Sequence, residues 1–190
     1  LASDDMAETM KLCVSCKGCR RECPTGVDMA RMKIEVLAAR AEKRGYSLRD
    51  RLVGWLPRYA PYAVRVGWLL NLRDIVPGAA KISEWLTGFS AKRKLPKWRS
   101  DVFNDGGNGV AANAKEVVLF ADTFNRYFDR ENLDAAVSVL ESAGYRVHFA
   151  KAGKRPLCCG RTFLSVGAVK QAKEEAARTL TALKPFVGRD

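Results

Sequence analysis

A chain of 190 residues, 47% of them hydrophobic, is long enough to bury one sizeable core or two small ones joined by a linker. Its 33 Lys and Arg against 21 Asp and Glu give a net charge of +12 and a pI near 9.7, a balance that suits an acidic partner, an anionic membrane surface or nucleic acid. No apolar run approaches the roughly 20 residues of a membrane-spanning helix, and the N-terminus lacks the basic, apolar and small-residue regions of a secretory signal. The expected location is the cytoplasm, with the inner membrane face as a peripheral site.

The first segment carries Cys13, Cys16, Cys19 and Cys23. The other two cysteines, Cys158 and Cys159, are adjacent, and two such tight clusters read as metal binding in a reducing compartment rather than as a disulfide framework. After Pro24-Thr25-Gly26, the residues Met29, Met32, Ile34, Val36 and Leu37 alternate with Arg31, Lys33, Glu35 and Arg40. This predicts an amphipathic helix from Asp28, its N-cap, to about Arg44, ended by Gly45.

From Leu48 to Phe89 the chain is rich in Leu, Trp, Tyr and Arg, and Pro57, Pro61 and Pro77 cut it into short helices. Arg51, Arg58 and Arg65 recur every seven residues beside Trp55, Tyr62 and Trp68. A packed helix face with solvated arginines is favoured here over a cationic aromatic strip for a membrane or an acidic domain. Lys92-Arg93-Lys94, Lys97 and Arg99 form a basic stretch, and Asn104-Asp105-Gly106-Gly107-Asn108-Gly109 is turn-prone. No recognised reader fold accompanies the basic stretch, so nucleic-acid binding is not expected.

Beyond it the hydrophobic period changes. Glu116 to Ala121 predicts a buried strand, Glu131 to Ala143 a helix with Leu133, Ala136, Val137 and Leu140 inward, and Tyr145 to Phe149 a second strand, together a β-α-β unit. Helical spacing returns from Val169 to Leu183, and a further strand would be due where the chain stops at Asp190. The expected fold is mixed α+β: a helical, cysteine-bearing region over 1–100, a linker over 101–114 and a small α/β region over 115–190. There is no internal repeat and no low-complexity segment.

Cys13-x-x-Cys16-x-x-Cys19-x-x-x-Cys23-Pro24 has the bacterial ferredoxin spacing, in which three thiolates hold one [4Fe-4S] cube and the cysteine before proline serves a neighbouring cluster. Gly18 suits a backbone bending close to sulfur, and Lys17, Arg20 and Arg21 place positive charge that lowers thiol pKa values and favours a reduced cluster. The alternative is a zinc knot, disfavoured by the third cysteine at equal spacing and by Cys-Pro. Cys158-Cys159-Gly160 falls between a strand and a helix, where α/β units place sites. Its thiols suit metal ligation, disulfide exchange, a vicinal disulfide, or simply one buried apolar cysteine beside one exposed. Asp122 and Thr123, at a strand's carboxyl end, are candidates to approach Cys158, Cys159 and Arg161. His148 is expected to face solvent or a helix, and no residue is assigned a catalytic role.

The run Cys13-Val14-Ser15-Cys16-Lys17-Gly18-Cys19-Arg20-Arg21-Glu22-Cys23-Pro24-Thr25-Gly26-Val27-Asp28, a basic helix after it, and Leu157-Cys158-Cys159-Gly160-Arg161 resemble the C-terminal iron-sulfur region of FAD-linked dehydrogenases. Those enzymes oxidise D-2-hydroxy acids such as D-lactate, D-2-hydroxyglutarate or glycolate. The likeness extends to Leu56-Pro57-Arg58-Tyr59-Ala60-Pro61 and to Ala121-Asp122-Thr123-Phe124. It implies an α-helical ferredoxin-like first half, a second half like the Cys-Cys-Gly module of heterodisulfide reductase subunits, [4Fe-4S] clusters, and FAD on a neighbouring domain of the same polypeptide or complex. Electrons would pass from flavin through the clusters to an acceptor. The family's earlier cysteine-rich stretch and a further cysteine of the Cys-Cys-Gly site have no counterpart here, so an incomplete ligand set and an excised, inactive fragment are expected. The competing reading is a zinc-stabilised basic binding module without redox chemistry.

Overall fold

The structure is a computed structural model that describes residues 3–106, 115–153 and 155–187. The fold is mixed α+β: helices α1 (Asp4–Lys11), α2 (Gly18–Glu22), α3 (Met29–Arg44), α4 (Leu48–Gly54), α5 (Leu56–Ala63), α6 (Gly67–Asn71) and α7 (Ala79–Thr87) precede strand β1 (Lys115–Val118). Helices α8 (Thr123–Tyr127) and α9 (Arg130–Ser142), strand β2 (Tyr145–His148), and helices α10 (Arg161–Ser165) and α11 (Val169–Leu183) follow. Among the described residues no helix is long and apolar enough to cross a membrane. The chain divides into two compact units, Leu1–Leu56 with Gly160–Lys173, and Pro57–Cys159 with Glu174–Asp190. Residues 107–114 of the expected linker lie outside the described residues.

In the first unit, α3 begins where the Asp28 carboxylate accepts the Arg31 N–H at 2.9 Å and ends at Gly45, whose N–H reaches the Ala41 carbonyl. Val36 of α3 packs with Ala7 and Met10 of α1. Asp4 clasps the pair from outside, 2.7 Å from Arg44 and 3.2 Å from Arg40, and the Arg44 guanidinium holds its carboxyl below the usual range. A second cluster centres on Phe163, fully buried with Val166, Ala168 and Ala172, its ring edge-on to Trp55 at 5.5 Å. Gly167 closes this cluster: with φ at 77°, it lies so near α3 that a Cβ would sit 2.5 Å from the backbone of Leu37 and Ala38. Only glycine meets both demands.

In the second unit, β1 and β2 pair in parallel from Lys115 with Tyr145 to Val118 with His148, and α9 supplies the crossover that a parallel pair requires. Leu133 and Val137 of α9, Ala121, Val147 and Phe103 form the core, with Leu140 packed against it. β1 is two residues shorter and β2 one residue shorter than the apolar runs suggest; after β1 comes α8, capped by the Asp122 carboxylate on the N–H groups of Phe124 and Asn125. Arg99 binds the carboxylate of Asp101 through two bonds of 2.8 and 3.0 Å and also reaches Glu131 at 2.5 Å. The Arg99 guanidinium pulls the Asp101 carboxyl down to about 2.

Two outcomes follow from these contacts. Gly167→Ala forces a strained backbone and an overpacked contact together, and is expected to lower unfolding free energy by about 2–4 kcal/mol, read from the urea midpoint. Asp101 titrates near 3.8 when unfolded and about 2 when folded, so its contribution is complete above about pH 4 and is lost as pH falls toward 2. Asp101→Asn is therefore expected to melt below the parent chain at pH 6, with the gap closing across that window.

Candidate functional site

The loop from Cys13 to Lys17 leaves α1 with the Cys13 N–H on the Met10 carbonyl. Ser15 and Lys17 both adopt left-handed backbone, φ 59° and 61°, a conformation costing non-glycine residues about 1–2 kcal/mol each. Strain of this kind persists where surrounding structure demands it, commonly at functional sites. The bend expected at Gly18 thus falls on its neighbours: a Cβ at Gly18 would meet Cys16 Sγ at an ordinary 3.7 Å.

Three of the four sulfurs already receive donors. Cys13 Sγ accepts the Ser15 N–H at 3.4 Å and Cys19 Sγ the Met29 N–H at 3.3 Å, while Cys23 Sγ lies 3.0 Å from the Thr25 hydroxyl. That hydroxyl, followed by the backbone N–H groups of Val27 and Thr25, draws the Cys23 thiol below its usual 9.0. None of the four cysteines is in a disulfide. Lys33 Nζ donates to the Cys13 carbonyl at 2.6 Å, and Lys17 lies 3.6 Å from Asp28. Such donors stabilise thiolate and tune clusters ligated by it, so the donor chemistry suits an iron-sulfur cluster.

Among the described residues no group of three or more His, Cys, Asp and Glu side chains is gathered so as to hold a single metal ion. A tetrahedral zinc with Zn–S bonds of about 2.3 Å brings its sulfurs within about 3.8 Å of one another.

Cys158 is buried and Cys159 exposed. The chain leading to them is clamped by one face of α11, on which Glu175, Arg178 and Thr179 stand at i, i+3 and i+4. Arg178 donates to the carbonyls of Ala152, Arg155 and Pro156, and the Thr179 hydroxyl to that of Cys158 at 2.9 Å. Glu175, 1% exposed, accepts from Arg178 Nη2 at 3.1 Å and faces Arg155 at 2.6 Å and Arg58 at 3.8 Å. One carboxylate thus meets three guanidinium groups. Of these residues the sequence singled out only Arg58, in the strip with Arg51 and Arg65, although the helical spacing on α11 was legible. At the carboxyl ends of β1 and β2 lies a cavity of about 200 Å³, lined by Ala121, Phe149, Lys151 and the nine-tenths-buried Arg126.

In the first unit, Gly160 has φ 82° and a Cβ there would lie 2.8 Å from the Ala172 carbonyl, so the glycine after the cysteine pair is sterically required. Arg161 after it lines a cavity of about 160 Å³ with Cys13, Ser15 and Lys33. Arg161 therefore accompanies the Cys13 loop, while Asp122 serves as the α8 cap and Thr123 is buried. His148 is half-buried, its Nε2 3.4 Å from Glu116.

A strained cysteine loop with amide-supported sulfurs, in a chain that also carries a small parallel α/β unit, defines the class as a cysteine-bearing α+β protein. Comparison with known proteins is more specific. Over 209 residues the chain is 27% identical to a protein named D-2-hydroxyglutarate dehydrogenase from Pseudomonas putida, a match covering 99% of this chain and 20% of that protein. Proteins of the same name from Escherichia coli and Pantoea ananatis are 24% and 22% identical, each match covering 76% of this chain and 15% of theirs. The chain spans about a fifth or less of the length of the curated relatives it matches. It is related to D-2-hydroxy-acid dehydrogenases, and so to oxidoreductases. No protein-family model and no solved structure matches it.

Glu175→Gln leaves three guanidinium groups without a buried counter-charge, and is expected to cost about 3–5 kcal/mol. Chemical denaturation measures the loss, and a shift under about 1 kcal/mol would show the clamp to be dispensable.

Proposed function

We propose that this chain is an iron-sulfur electron-transfer module of a 2-hydroxyglutarate-type dehydrogenase. Cys13, Cys16 and Cys19 hold one [4Fe-4S] cluster and Cys23 contributes to another. A helical ferredoxin-like region over 1–100 and an α/β region over 115–190 carry the two cysteine motifs. FAD belongs to a neighbouring domain of the same polypeptide or complex, and an electron acceptor is the remaining partner. The observation that carries this reading is the Cys-x2-Cys-x2-Cys-x3-Cys-Pro spacing, with donors on three of its sulfurs, in a chain that aligns over 99% of its length with a dehydrogenase of that name.

When bound, such a cluster supplies one-electron acceptance and release. The chain's own residues do the rest. The amides of Ser15 and Met29 and the Thr25 hydroxyl share the negative charge of the sulfurs, favouring the reduced state. Lys33, through the Cys13 carbonyl, fixes the loop to α3. Arg161 and Lys33 add positive charge at the cavity beside Cys13, which again favours an added electron.

Anaerobic reconstitution followed by iron, sulfide and zinc analysis tests this. Iron and acid-labile sulfide are expected in near-equal amounts, with Cys13→Ser, Cys16→Ser and Cys19→Ser each losing most of both and Cys23→Ser losing less. Stoichiometric zinc without sulfide, bound through the same cysteines, would replace this reading with a zinc-stabilised basic module.

A further inference from the structure

An amphipathic surface helix ordinarily turns its apolar stripe to the core. Helix α7 does the reverse. Its Ile82, Trp85 and Leu86 stand at i, i+3 and i+4 on one face, all exposed, Trp85 to 84%, and the helix contributes no buried residue. It is held instead by its polar side: Arg73 donates to the Ser83 hydroxyl at 3.1 Å. The same guanidinium donates to the carbonyls of Phe89, Ser90 and Arg93, and so ties the basic run Lys92-Arg93-Lys94 against α7. Trp68, Leu69 and Ile75 extend the exposure, so that ten large apolar side chains between Tyr62 and Leu86 face solvent.

Charge gathers in the same stretch. Residues 57–100 hold nine Lys and Arg against only Asp74 and Glu84, seven of the chain's twelve net positive charges. Protein–protein interfaces are depleted in lysine, whereas interfacial membrane segments combine Trp, Leu and Ile on one side with Lys and Arg on the other. Here Lys81, Lys92, Lys94 and Lys97 are all exposed.

We propose that this face docks on an anionic lipid surface: Trp85, Ile82 and Leu86 enter the headgroup boundary, and Lys92, Arg93 and Lys94 meet the lipid phosphates. The strip considered in the sequence, Arg51, Arg58 and Arg65, is not the one that serves. The docking residues lie on α7 and the basic run after it, and none of them is a candidate cluster ligand.

Flotation of the whole chain tests this with vesicles of phosphatidylcholine alone and with about 30% phosphatidylglycerol, at about 0.15 M salt. Binding is expected to the anionic vesicles only, with a blue shift of tryptophan emission. Trp85→Ser with Ile82→Ser is expected to lower partitioning at least about tenfold, and Lys92→Gln with Arg93→Gln and Lys94→Gln by about a hundredfold, both at an unchanged melting temperature since the side chains are exposed. Absence of binding to anionic vesicles, or binding indifferent to both variants, overturns the proposal. Self-association that Trp85→Ser with Ile82→Ser abolishes, without vesicle binding, would also overturn it and assign the face to a second copy of the chain.

Discussion

The buried carboxylate of Glu175 organises the segment that leads to Cys158. Removing a charge from water is costly unless partners surround it, and here three guanidinium groups do so. Arg178 in turn spends its remaining donors on three carbonyls of the chain before Cys158. The charge demands the arginines, and the arginines fix the loop. Cys158 is thereby carried into the interior with its carbonyl held by Thr179, while Cys159 is presented to solvent. The cysteine pair therefore comes with one buried and one exposed member.

The cysteine loop of the first unit rests on a different constraint. Ser15 and Lys17 hold left-handed backbone without the steric freedom of glycine, so the loop is defined by what it satisfies: the Ser15 amide faces Cys13 sulfur, and Lys33 fastens the Cys13 carbonyl. Beyond the loop, the Met29 amide at the start of α3 meets Cys19 sulfur. Polar backbone groups are thus directed at sulfur before any ligand is considered, the kind of second layer that tunes thiolate sites.

Local signals were the legible ones. Asp28 and Gly45 mark α3 because an N-cap carboxylate and a C-terminal glycine act over a few residues. The change of hydrophobic period beyond residue 115 announces the β-α-β unit for the same reason. Helix α8 escaped because five residues carry too little periodicity, and its only advertisement is the Asp122 cap. The Glu175 clamp escaped because its partners Arg58 and Arg155 are remote in sequence, and a glutamate on a helix with Lys170, Lys173 and Glu174 reads as solvated. The outward apolar face of α7 escaped because periodicity reveals that a stripe exists but not which way it turns; the direction is set by Arg73 bonding Ser83. At the candidate site the cysteine spacing was plain, whereas the bend beside it fell on Ser15 and Lys17 because Gly18 needs no positive φ.

The proposal of electron transfer rests on the spacing of four cysteines, the sulfur-directed donors and the relation to D-2-hydroxy-acid dehydrogenases. Mössbauer spectroscopy of the chain loaded anaerobically with isotopically enriched iron addresses this most directly. The account predicts iron sites electronically delocalised in pairs, as in a cubane cluster, and loss of that spectrum on replacing Cys16. A spectrum of isolated high-spin ferrous ions, unchanged when Cys16 is replaced, would contradict it.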